Sequence, residues 1–315
     1  MVNKKKPRRP VHGVLILDKP LGLSSNQALQ AAKRCFNAAK AGHTGALDPL
    51  ASGVLPLCFG EATKFSQYLL DSDKRYLATF RLGLETASGD LDAETVRECD
   101  ASAITEAQIH AAVAKFQGDI EQVPPMFSAL KHQGQPLYKL ARSGVEIERK
   151  PRPVTLYLYK VLAIRLGEKP EVDVDIHCSK GTYVRSLAID LGYELGVGGT
   201  VTALRRTQAG PYDLSQMVTL EQLQALSEQP EALDQLLASV DSPLVALPEI
   251  TLPESSGYYF CLGQAVIEQK VYRFAEEGDM VRVFSEAGDF LGVGLVQAGG
   301  QIAPKRVVAT GMAKN

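Results

Sequence analysis

The sequence predicts an α+β fold in two parts, a large N-terminal domain and a small β-rich C-terminal one. Three observations carry this. Strand-like apolar or alternating runs are mixed irregularly with helix-length amphipathic stretches, which disfavours a doubly wound sheet. Pro243, Pro248 and Pro253 punctuate the chain near residue 250. Beyond them, short β runs and frequent glycines replace helical periodicity. The length of 315 residues fits about two domains.

Residues 1–11 read as a flexible basic arm carrying Lys4, Lys5, Lys6, Arg8 and Arg9 with two prolines. His12 to Leu17 fits a buried strand. Ser24 or Ser25 then caps a helix through Phe36, with Ala28, Ala32, Cys35 and Phe36 on one side. Asn37 to Gly53 is loop-like, and Val54 to Phe59 resumes as a strand. Glu61 to Leu70 looks helical, and Arg75 to Leu84 alternates as a strand. A helix spans 105–116. Residues 118–153 hold five prolines and many basic side chains, the composition of a protruding insertion. Val154 to Leu166 and Val172 to Cys178 pair as strands, a helix runs from Thr182 to Leu195, and 219–240 is helical. Val281–Phe284 and Leu291–Val296 are strands of the last unit, which reads as separately folded and removable without baring the main core.

Composition narrows the function. Hydrophobic residues make up 45% and charged residues 22%, which excludes wholesale disorder and collagen-like structure. No apolar run approaches the roughly 18 residues a membrane helix needs, and no signal core follows the basic N-terminus, so a soluble, cytoplasmic protein is expected. The five cysteines form no CxxC pair and the five histidines no HxxxH or HExxH group, so neither a disulfide framework nor a bound metal is expected. Net charge is −2, which by itself argues against nucleic acid. Its distribution fits a basic face and fits ordinary solvated charges equally well. Lys131, Lys139, Arg142, Arg149, Lys150 and Arg152 gather in the insertion, whereas residues 221–254 carry seven acids and no lysine or arginine.

Two stretches stand out chemically. AGHTGALDPLASG at 41–53 offers one histidine and one carboxylate in a mobile-looking, glycine-rich loop that matches neither GxxxxGK[ST] nor GxGxxG. HCSKGTYVRSL at 177–187 is a strand, a glycine turn and a helix start, placing Tyr183 and Arg185 where active sites often gather side chains. Alone, each stretch reads first as an ordinary turn or junction.

Together they resemble the TruB family of tRNA pseudouridine-55 synthases. The likeness is carried by GHTGALDPLASGVLPLCFGEATK at 42–64, DSDKRYLATFRLG at 71–83 and HCSKGTYVRSLAIDLG at 177–192. HGVLILDKPLGLSSN at 12–26, GDIEQVPPMFSALKHQG at 118–134 and VTALRRTQAGPY at 201–212 extend it. The resemblance implies a pseudouridine-synthase fold at 12–250, with a mixed, mostly antiparallel sheet and an RNA-binding insertion at about 118–153. It implies a PUA-like RNA-binding domain at 251–315. By the same resemblance Asp48 is the catalytic aspartate, Tyr76 the tyrosine beside it and Arg185 its arginine partner. His43, Tyr76, Tyr183 and Leu204 are substrate-binding positions.

The implied reaction isomerises uridine 55 in the T-loop of tRNA, on a flipped-out base. Uracil leaves its ribose at N1 and rejoins through C5, with no net redox change and no donor. The resemblance therefore implies no cofactor, tRNA (its T-arm stem-loop) as partner, no membrane, no obligate protein partner and a monomer. A carboxylate can attack C1′, attack uracil C6 or assist loss of a sugar proton, and the sequence leaves all three open. An arginine within about 4–6 Å offsets desolvation of such a carboxylate and holds it in fork geometry. Tyr76 can stack on the base and move protons, and His43 in a flexible loop can fill the gap left in the RNA. Three competing readings are weaker. A non-catalytic RNA-binding protein leaves Asp48, Tyr76 and Arg185 unexplained. A methyltransferase needs a donor-binding glycine motif that Gly13 and Gly22 do not supply. A guide-RNA-dependent synthase fits less well than stand-alone action, given the chain's own RNA-binding parts.

Overall fold

The computed structural model describes residues 7–309. Strand β1 (Gly13–Lys19) leads to helix α1 (Ser25–Cys35), where Ser24 and Gln27 form a reciprocal capping box. Strand β2 (Ala51–Phe59) is followed by a tight turn of helix, a short α2 (Ser66–Leu70) and β3 (Lys74–Leu82). Helix α3 (Glu106–Ala114) is capped by Thr105 and precedes β4 (Gly118–Gln122). The insertion contains α4 (Leu137–Arg142). Then come β5 (Arg152–Arg165), β6 (Glu171–Cys178), α5 (Val184–Glu194) and β7 (Gly199–Ala209). The seven strands lie in the order β1-β2-β7-β3-β6-β5-β4. Every neighbouring pair on this path is antiparallel except β2 and β7, which run parallel. The sheet is thus mixed and mostly antiparallel, as expected.

Strand β2 is buried on both faces because apolar groups cover each. Leu55, Leu57 and Phe59 join the main core with α1 and α5, while Val54 and Cys58 pack with Val14, Ile16 and Tyr212 on the other side. Helix α5 lies hard against β7. A Cβ on Gly192 would come within 2.0 Å of the Gly198 backbone, so only glycine permits this approach, which fixes where Arg185 stands.

Several expectations change. Residues 7–11 are not a flexible arm: Arg9 pairs with Asp234 at 2.5 Å and bonds Asn37 through its backbone, and Val11 is buried. The earlier lysines lie outside the described residues. The expected helix at 219–240 divides into α6 (Leu220–Ala225) and α7 (Pro230–Asp234), because Pro230 cannot continue a helix but starts one well. Residues 118–122 form the sheet's edge strand, so the insertion proper begins after Gln122. The central strand β7 has no counterpart among the expected elements, because its Thr, Arg and Gln side chains hide the strand pattern.

The C-terminal unit is a five-stranded sheet of β8 (Glu249–Leu252), β9 (Val266–Ile267), β10 (Met280–Ser285), β11 (Phe290–Gln297) and β12 (Gln301–Val307), ordered β8-β10-β11-β12-β9. Helix α8 (Glu254–Cys261) covers its core of Ile250, Phe260, Val283 and Ile302. This unit is not simply tethered. Phe65, Leu244 and Val293 form a shared buried cluster, and the rings of Phe65 and Phe290 lie 5.4 Å apart. Its removal would bare Phe65, contrary to the sequence-based expectation.

Candidate active site

The loop carrying Asp48 is pinned rather than mobile. Buried Ser25 donates to the Leu47 carbonyl at 3.0 Å and accepts from the Leu47 amide at 2.7 Å. Thr44 donates twice to the Pro56 carbonyl, and the Ala51 amide closes a turn on the Asp48 carbonyl. The Gly22 amide reaches the Pro49 carbonyl, binding the loop to the turn after β1.

Arg185, on the first turn of α5, lies across from Asp48. Its Nε stands 3.0 Å from Asp48 Oδ2. The expected two-pronged hold is absent, because the other nitrogens are committed elsewhere. Nη1 donates to the Ser88 carbonyl at 3.0 Å and lies 3.5 Å from Asp90 Oδ2, and Nη2 donates to the Phe127 carbonyl at 2.7 Å. The guanidinium is buried, while the Asp48 side chain keeps 40% exposure. Asp90 is held in turn by Ser88 Oγ at 2.6 Å and the Asp92 amide. Sequence reasoning missed Asp90; its only signal was the Ser-Gly-Asp turn at 88–90.

Burial pushes the Asp48 carboxyl above its ordinary value, Arg185 pulls it back, and the charges of Asp90 and Asp92 push it up again. Desolvation prevails over the arginine, so the expected full offset is not reached. Lys19 lies nearby, its ammonium donating to the carbonyls of Pro20 and Leu23, and burial brings it down to about 8.

The other expected residues surround this pair. Tyr76 is buried on β3, in register opposite Arg206, and its ionisation is raised by burial. Tyr183 precedes α5. Its backbone is clasped by buried Gln122, which accepts from the Tyr183 amide at 2.7 Å and donates to its carbonyl at 3.1 Å. Ser128 Oγ in the insertion is buried without a partner. Leu204 sits at mid-sheet on β7, opposite Ala51 on β2 and Ala78 on β3. His43 lies in a short strand, Ala41–His43, paired opposite Leu57, not in a flexible loop. Its Nδ1 is buried without a partner, and burial together with Arg206 lowers its basicity.

Beside Pro49 opens a cleft of about 600 Å³, lined by apolar Leu21, Leu50, Leu77 and Leu204 with Asp92 and Arg205 at its polar side. A larger cavity of about 1130 Å³ lies between the insertion and α5, near Asp190 and Tyr193. The smaller cleft adjoins the Asp48 loop and holds Leu204, while the larger is lined by Ser88 and Phe127, whose carbonyls hold Arg185. Among the described residues no cluster of His, Cys, Asp and Glu is arranged to hold a metal. No described helix is long and apolar enough to cross a membrane.

Residues 33–184 match the TruB family pseudouridylate synthase N-terminal domain, 185–245 the tRNA pseudouridylate synthase B C-terminal domain, and 248–308 the pseudouridine synthase II TruB C-terminal domain. A protein of Saccharophagus degradans named tRNA pseudouridine synthase B is 54% identical over 311 residues, covering 98% of this chain and 99% of its own. One of the same name from Pseudomonas aeruginosa is 51% identical over 310 residues, with the same coverages. A solved chain of a Cbf5-Nop10-Gar1 complex overlays with a TM-score of 0.70 at 25% identity, covering 94% of this chain and 84% of that one. With three consecutive domain matches and full-length relatives at half identity, this chain is a pseudouridine synthase and belongs to the TruB family.

Proposed function

We propose that this chain converts uridine 55 in the T-loop of tRNA to pseudouridine, with Asp48 as the charged group that engages the substrate. The observation that supports this most is the Arg185 guanidinium held between Asp90 and Asp48, the latter on a loop whose next residue, Pro49, lines an apolar cleft. The reaction breaks the N1–C1′ bond, forms C5–C1′, releases the proton on C5 and returns one to N1. Each of the three routes open to a carboxylate requires Asp48 ionised. Arg185 favours that form within a site whose burial opposes it.

The target base must leave its stack to reach Asp48. Extrusion costs a few kcal/mol, and stacking on a side chain such as Tyr76 returns about 1–3 kcal/mol. His43 fills the space vacated in the loop, and the apolar cleft walls, Leu204 among them, receive the base. Gln122 at the end of β4 holds the Tyr183 backbone at the start of α5, so Tyr183 couples substrate contact to Arg185. Lys139 and Arg142 lie on α4 within the insertion and bind the RNA backbone. The C-terminal sheet acts as an RNA-binding domain that adds affinity, and the enzyme works as a monomer in the cytoplasm.

The test is direct. Purified protein is incubated with an unmodified tRNA transcript and with one carrying cytidine at position 55, and pseudouridine is mapped by base-specific chemistry. One pseudouridine at position 55, absent from the cytidine transcript, is expected. Modification elsewhere would overturn the assignment of position.

A further inference from the structure

The largest fully buried side chain of the protein is a charged one, Arg206 on β7. No carboxylate lies within ion-pair distance of it among the described residues. Burying a cation without a counter-charge is costly, and the repulsion of Lys19 and Lys74 adds to the cost. Stability alone does not account for its presence there.

Its contacts do. Nε donates to the Val54 carbonyl at 2.7 Å and Nη2 to the Gly45 carbonyl at 3.2 Å. Those carbonyls mark the two ends of the segment that carries Asp48, so one rigid guanidinium closes the loop. Backbone register adds precision: Arg206 is paired with Gly53 on β2 and with Tyr76 on β3. A Cβ on Gly53 would fall 2.2 Å from the Arg206 carbonyl oxygen, so β2 and β7 meet there at a distance only glycine allows.

The pairing in register sets the Arg206 and Tyr76 side chains on one face of the sheet, and arginine has no acceptor, so in any hydrogen bond between the two the Tyr76 oxygen accepts. The phenolic proton is then left for another partner, and no protein acceptor for it is found among the described residues. We propose that Arg206 is a positioning residue for the isomerisation, closing the 45–54 loop around Asp48 and turning the Tyr76 hydroxyl so that its proton faces the substrate. This rests on Asp48 being the group that engages the substrate. A point charge on lysine cannot span the two separated carbonyls as the planar fork does.

The test compares full-length Arg206→Lys, Gly45→Ala and Asp48→Asn with the parent enzyme on unmodified tRNA transcript. Single-turnover rate at saturation, tRNA affinity, melting temperature and amide hydrogen exchange are measured for each. Arg206→Lys is expected to lose about 10²-fold in rate, the scale of a roughly 1 Å misplacement, with affinity little changed. Exchange should quicken in 44–54 and not in α5 or residues 249–307. Gly45→Ala strains the same junction, where φ is +82° and the new Cβ meets Nη1 at 3.6 Å, and keeps the guanidinium. It should show the same signature, and it serves if the lysine variant does not fold. A parent-like rate in a folded Arg206→Lys, or exchange quickened uniformly along the chain with a matching fall in melting temperature, would overturn the proposal. If Asp48→Asn itself turns over, the underlying reading of the site fails instead.

Discussion

Arg185 meets Asp48 through Nε alone, at 3.0 Å, while its terminal nitrogens are spent on Ser88, Asp90 and Phe127. The arginine is therefore a hub, joining α5, the 88–92 turn and the insertion to the aspartate. A fork-to-fork pair would have fixed the carboxylate but tied nothing else to it.

From this hub follows a severe defect in Arg185→Lys. Lysine supplies one charge but cannot reach all four partners, so both the loop contact and the Phe127 contact cannot be kept. Single-turnover rate should fall by about 10²-fold or more, with the protein still folded by circular dichroism. A rate near that of the parent would show that the hub is dispensable.

The raised Asp48 value has a pH consequence. The carboxyl must be ionised to act, and its protonated form is favoured by burial and by Asp90 and Asp92. Activity is thus present at high pH and is lost as pH falls through a value above the ordinary 3.8 of aspartate. Asp90→Asn removes one of the charges that raise it, so the acid limb of the single-turnover profile should move to lower pH. A limb that stays or moves upward would contradict a repulsive influence of Asp90 on Asp48.

His43→Ala should weaken catalysis without abolishing it. The lost contact is worth about 1–3 kcal/mol, which corresponds to roughly 5- to 150-fold. The loss should be read in single-turnover rate at limiting enzyme, more than in final yield. Complete inactivity would assign His43 a direct chemical part.

Removal of the C-terminal unit should cost stability as well as affinity. Phe65 and Leu244 would lose their cover, and each such side chain contributes about 1.5–3 kcal/mol when fully buried. Against a total of about 5–15 kcal/mol that is a large share. A chain ending at residue 247 should melt well below the parent, and changing Phe65 to Ser in that shorter chain should cost little further. Equal melting temperatures for the full and shortened chains would show that the apolar contact contributes little.

Much of the fold is legible in the sequence, for identifiable reasons. Helix α1 declares itself through Ser24 and its apolar face, and β3 through alternation that its burial reproduces. Asp48, Tyr76 and Arg185 are found by motif, and the fold brings them to one place. What stays hidden depends on tertiary contact. Strand β7 is masked by polar side chains that fulfil their hydrogen bonds only once β2 and β3 flank it. Arg206 looks like a surface residue because nothing local shows that Gly45 and Val54 will offer it their carbonyls. Asp90 sits far from Arg185 in sequence, and its turn resembles any other. The loop at 41–53 reads as mobile from its glycines, whereas Ser25 and Thr44 hold it still.

The role of Asp48 is tested most sharply by single-turnover conversion with Asp48→Asn on unmodified tRNA transcript, with tRNA affinity measured alongside. Asparagine keeps the side-chain shape but can neither carry the charge nor attack. No detectable pseudouridine at position 55 is expected, with affinity within a few-fold of the parent since most contacts lie on the RNA backbone. Measurable multiple turnover by pure Asp48→Asn protein would contradict that role.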